Sequence, residues 1–138
     1  MLRTVLIPVV LLGTTIPVAD AAQSRQKVTG FFSDLKLGRA SGDLGGVEIF
    51  ISSAWVNDPH VRALPQTKYY AYVQTAEGTA REPQLVPARL DGNRVAFDLT
   101  GSYASMSPFT GAVVGDSLIG SFGNGWNVRL PRRPSYWQ

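Results

Sequence analysis

The 138 residues include 13 Lys and Arg, 10 Asp and Glu, one His and no Cys, for a formal net charge of +3. Without Cys there is no disulfide scaffold, thiolate zinc site, iron–sulfur cluster or Cys nucleophile, and a single His excludes any site that needs two imidazoles. The length fits one domain, and 14 Gly with 9 Pro speak against a helical bundle.

Residues 1–21 read as a secretory signal peptide. Arg3 supplies a small positive start, Val5 to Val18 carries no charge, and Ala19-Asp20-Ala21 offers small side chains at the inspected positions, which places cleavage before Ala22. The apolar run is too short for a hydrocarbon core ~30 Å thick and is interrupted by Pro8 and Pro17, so no membrane span is expected after cleavage. The expected location is periplasmic or secreted, with residues 22–138 as one domain. The charge is too small and too dispersed to argue for nucleic acid.

No stretch of the remaining chain sustains a 3.6-residue period. Period-2 alternation recurs instead, with turn residues every 8–12 positions. Strands are expected over Thr29–Leu37, Val47–Ser52, Tyr69–Val73, Gln84–Leu90, Arg94–Leu99, Phe109–Val114, Ser117–Phe122 and Trp126–Leu130. Ser41–Gly46, Asp91-Gly92-Asn93, Gly115-Asp116 and Asn124-Gly125 supply the reversals between several of them. Short reversals force antiparallel neighbours. The fold class is therefore all-β, with about eight antiparallel strands in meander order closing into a small barrel. A two-sheet sandwich is the competing architecture.

One connection is not a hairpin. Asp58 is placed to cap a short helix with Pro59 at its first position, and Leu64-Pro65 stops it, so a helical turn or loop is expected over 58–64. It lies over one barrel end, as a plug or as a lid. The tail from Pro131 to Gln138 leaves the strand pattern. Tyr136 and Trp137 are expected to pack back on the outer wall, with Arg132 and Arg133 solvated.

Catalytic motifs fail on their own terms. Gly115-Asp116-Ser117-Leu118 spells a lipase signature, but Ser117 falls in an expected hairpin, the only His is His60 upstream, and no Asp-x-x-His follows. A serine without a base is a poor nucleophile. The carboxylates are scattered singly and form no calcium loop or glycosidase pair. No cofactor, metal site or catalytic residue is assigned.

Gly30-Phe31-Phe32 resembles the Gly-x-Trp of the first strand of lipocalin-like barrels (calycins), with Phe32 where Trp is usual. Arg129 or Arg132 stands where many of those proteins bring a late Arg against that ring. The resemblance implies ligand binding in a barrel mouth. The residue pattern independently implies an apolar interior, in which Gly111 and Gly120 either leave room for a ligand or merely permit strand coiling. The first expectation is thus an exported, non-enzymatic barrel binding a small apolar or amphipathic ligand through Trp55, His60, Arg62, Tyr69, Phe97 and Trp126. The second is a protein-binding module, such as an inhibitor of a secreted or envelope enzyme, presenting Tyr70, Tyr72, Tyr103, Tyr136 or Trp137. A secreted hydrolase comes third.

Overall fold

A computed structural model describes residues 27–57 and 66–138. The signal segment at 1–21 and the helix or loop expected over 58–64, with His60 and Arg62, lie outside the described residues.

The chain is all-β, as the alternation implied. In order come β1 (Gly30–Ser33), β2 (Lys36–Leu37), β3 (Leu44–Val56), β4 (Gln66–Ala80), β5 (Gln84–Asp91), β6 (Arg94–Phe97), a 3-10 helix (Gly101–Met106), β7 (Phe109–Val114), β8 (Ser117–Phe122) and β9 (Asn127–Pro131). All pairs are antiparallel, and the path β1-β3-β4-β5-β6-β7-β8-β9 follows chain order. β2 continues β1 along β3: Ser33 faces Glu48 and Lys36 faces Gly45, so the register does not slip. The interruption has a local cause. Val47 N donates to the Asp34 carboxylate at 2.7 Å, while Asp34 N donates to Val47 O at 3.1 Å. A side chain there replaces a backbone carbonyl. Eight staves result, and the sheet curls until β1 and β9 meet at the bridge between Phe32 and Arg132, a nearly closed barrel.

Turn chemistry matches the reversals. Gly92, Gly115 and Gly125 carry the positive φ that the short connections need. Two expectations need correction. Leu44-Gly45-Gly46 belongs to β3 rather than to a turn, the reversal being complete by Asp43. A short helix forms over Gly101–Met106, where none was expected. Its Tyr103 is buried rather than presented outward. The phenol donates to Glu82 O at 2.9 Å and accepts from Thr75 N at 3.3 Å.

The meander sets two ends. The tip of the β3–β4 hairpin and the β5–β6 and β7–β8 turns lie at the first. The β4–β5 turn, the 3-10 helix and the β8–β9 turn lie at the second. Inward residues form one continuous core that includes Phe32, Val47, Ile49, Ile51, Val73, Val95, Phe97, Phe109, Val113, Leu118, Phe122 and Leu130. With no disulfide, this apolar packing is the main source of stability.

Candidate functional site

Among the described residues, those expected to bind a ligand do not converge. Trp55 sits near the first end, 78% exposed, where Trp55↔Thr67 and Val56↔Gln66 pair without a third strand beside them. Tyr69 is half-buried on the same hairpin. Trp126 is half-buried at the second end, stacked on Phe122 at 5.4 Å. Phe97 is fully buried. His60 and Arg62 are outside the described residues.

The interior is packed with aliphatic side chains and, toward the second end, with rings. Phe97 stacks on Phe109 at 4.7 Å, and Phe109 meets Phe122 at 4.9 Å. The Gly111–Gly120 pair is where a void was conceivable. A Cβ on Gly120 would stand 2.6 Å from Phe109 Cζ, and one on Gly111 would stand 3.0 Å from it. The ring of Phe109 thus covers both glycines, and their missing side chains house a residue of the chain itself. A cleft over β5–β7 is lined mainly by outward-facing Arg89, Asp91, Arg94, Ala96 and Thr110, so it opens on the wall rather than the lumen.

The outer wall of β1, β3, β4 and β5 carries a cluster of half-buried aromatic side chains. Residues directly opposite in an antiparallel ladder share a face. The register therefore sets Phe31, Phe50, Tyr72 and Leu85 in one row across four strands, with Ser52, Tyr70 and Pro87 in the next. Phe31 and Phe50 stack at 4.1 Å, and Leu85 is 64% exposed. Lys68 and Arg89 border the rows on one side. Arg89 pairs there with Asp98 at 2.9 Å, an exposed contact that contributes little to stability.

On the other side lies the tail. Glu48 points outward from β3 yet is buried, because Ser135 Oγ donates to its Oε1 and Tyr136 N to its Oε2, both at 2.8 Å. Trp137 Nε1 donates to Gln74 Oε1 at 2.8 Å, and Gln74 Nε2 donates to Arg81 O at 2.9 Å. Tyr136 covers Leu35, Leu44 and Ala76, a small second apolar cluster. The tail is thus a strap from β9 across β1 to β3 and β4, and it leaves Trp137 53% exposed beside the aromatic rows.

Arg132 is not solvated as expected. Its guanidinium lies 4.5 Å over the Phe32 ring. It donates to Thr29 O at 2.7 Å and also to Lys27 O. Arg133 is exposed, and its N–H donates to Phe31 O at 3.2 Å. Tyr136 and Trp137 pack back on the outer wall as expected, whereas Glu48 had no sequence signal, since one acid at alternate spacing in an apolar strand reads as a solvated outward position.

Ser117 opens β8, just past the turn at Gly115. His60, the single His of the sequence, is not among the described residues. Comparisons with family models, with curated proteins and with solved structures find no match for this chain.

Proposed function

We propose that the chain is an exported, non-enzymatic β-barrel that binds another protein through the outer wall of β1, β3, β4 and β5, as an inhibitor of a secreted or envelope enzyme would. The observation that carries this reading is the pairing of a core packed with its own side chains and a contiguous row of half-buried aromatics outside it. Aromatic side chains are favoured interface anchors because they bury much area at low entropic cost. The strap extends the same surface with Trp137. Export rests on the residue pattern of 1–21, and kinship with lipocalin-like barrels gains support from the stack of Arg132 on Phe32 behind Gly30.

A second reading, a small apolar ligand at the first end, draws on Trp55, whose exposure beside half-buried Tyr69 suits a docking ring. Native mass spectrometry of the protein purified from its own host separates the two. A co-purifying protein that is lost from Tyr72→Asp and Leu85→Asp variants supports the outer-wall reading. A retained small molecule that survives those substitutions overturns it.

A further inference from the structure

The barrel is closed over only part of its height, and the open part has a defined chemistry. Two hydrogen bonds bracket the β8–β9 ladder: Phe122 N to Trp126 O at 2.9 Å and Arg132 N to Asp116 O at 2.6 Å. In an antiparallel ladder, bonding alternates residue by residue. Even-numbered residues of β9 therefore bond to β8, and Asn127 and Arg129 turn their N–H and C=O groups to the other edge. The bond from Arg133 N to Phe31 O follows the same alternation. Continued toward the second end, the ladder begun at Phe32↔Arg132 would set Leu35 opposite Arg129 and Leu37 opposite Asn127. Neither pair forms. Among the described residues β9 pairs only with β8 and β2 only with β3, apart from that bridge.

We propose that this open seam between β9 and β2 takes an extended acidic segment of a partner protein by strand addition. Unpaired donors and acceptors on a strand edge are a template for an extended backbone. Charge selects among extended chains. Lys36, Arg39 and Arg129 are all exposed around the opening against one exposed acid, Asp43, while Asp34, the acid within the β1–β2 break, is engaged by Val47 N. Leu37, 58% exposed on the β2 edge, offers an apolar contact for one alternate side chain of the guest. A cleft beside the edge, with Ile119, Asn127 and Arg129 in its lining, gives the guest a second place to set a side chain. This edge is separate from the aromatic rows, and the proposal does not depend on them.

The test is amide exchange read residue by residue on the 15N-labelled protein, with a short end-blocked peptide of alternating Glu and Val as the added strand. In the free protein the amides of Asn127 and Arg129 exchange fast, while those of Val128 and Leu130 are protected by β8. The Glu-Val peptide slows the Asn127 and Arg129 amides about tenfold or more. An alternating Lys-Val peptide does not, and Lys36→Glu with Arg129→Glu weakens the effect of the acidic peptide about tenfold. Protection in the free protein at every concentration means the seam is zipped by the chain itself and overturns the proposal. Protection that rises with protein concentration alone assigns the edge to a second copy and also overturns it. Equal response to both peptides removes the acidic selectivity, and no response at millimolar peptide removes the site.

Discussion

The Arg132 guanidinium lies 4.5 Å above the Phe32 ring while donating to the carbonyls of Thr29 and Lys27. One side chain thereby ties the end of the last strand to the start of the first. A cation over a ring adds roughly 0.5–1 kcal/mol, and a hydrogen bond from a charged donor roughly 1.5–3. Because the group is partly exposed, Arg132→Ala is expected to destabilise by about 2–3 kcal/mol. Arg132→Lys should recover less than half of that, since a single ammonium does not reproduce the planar fork over ring and carbonyls. Urea unfolding with an unchanged slope is the measurement. A lysine variant as stable as the parent would mean that charge alone closes the seam.

Gly120→Ala tests whether the interior is full. The new methyl group would stand 2.5 Å from Thr110 O and 2.6 Å from Phe109 Cζ. Overpacking of this kind costs roughly 1–3 kcal/mol. An interior with spare room would absorb the methyl group and give no change in denaturant midpoint.

The strap should show coupling rather than additivity. In the whole chain Glu48→Leu leaves Ser135 Oγ and Tyr136 N without their acceptor, so a loss of about 1–3 kcal/mol is expected. With residues 135–138 removed, Glu48 meets water and the same substitution should cost close to nothing. A double-mutant cycle then gives a coupling of at least about 1 kcal/mol. Additive losses would show that the strap does not read Glu48.

Leu85→Asp separates surface function from folding. The side chain is 64% exposed, and substitutions at such positions usually stay within about 0.5 kcal/mol of the parent. The expected outcome is an unchanged midpoint with loss of the co-purifying protein. A large drop in stability would show that Leu85 belongs to the core and not to a docking surface.

The strands that alternation located best are the ones with a full partner on each side and a glycine at the turn. β7 and β8 have the expected bounds, Phe109–Val114 and Ser117–Phe122. β4 runs to Ala80, well past Val73, because its more polar second half pairs with β3 alone, and Gln74, Thr75 and Ala76 there are buried by the strap and the Tyr103 phenol rather than by an alternating core face. The 3-10 helix escaped because six residues are too few to show a period, and the burial of Tyr103 and Met106 supports its few backbone hydrogen bonds. Gly111 and Gly120 were ambiguous for a different reason. A glycine pair marks missing volume, but whether a ligand or a neighbouring ring fills it depends on the rotamer of Phe109. Arg132 misled because length and charge suggest solvent, whereas a guanidinium can lie flat on a ring. Among the described residues, Trp55 and Trp126 stand apart by the height of the barrel because a meander sends successive loops to opposite ends.

The groups that tie the end of the chain back to its beginning all belong to residues after β9: Arg132 and Arg133 reach the β1 edge, and Ser135, Tyr136 and Trp137 reach past it to β3 and β4. A chain that emerges N-terminus first therefore holds a curled but open sheet until its last stave and strap arrive. Closure is then a late, single step in assembly, and up to that moment the free edge of β1 is exposed to whatever accompanies the nascent chain.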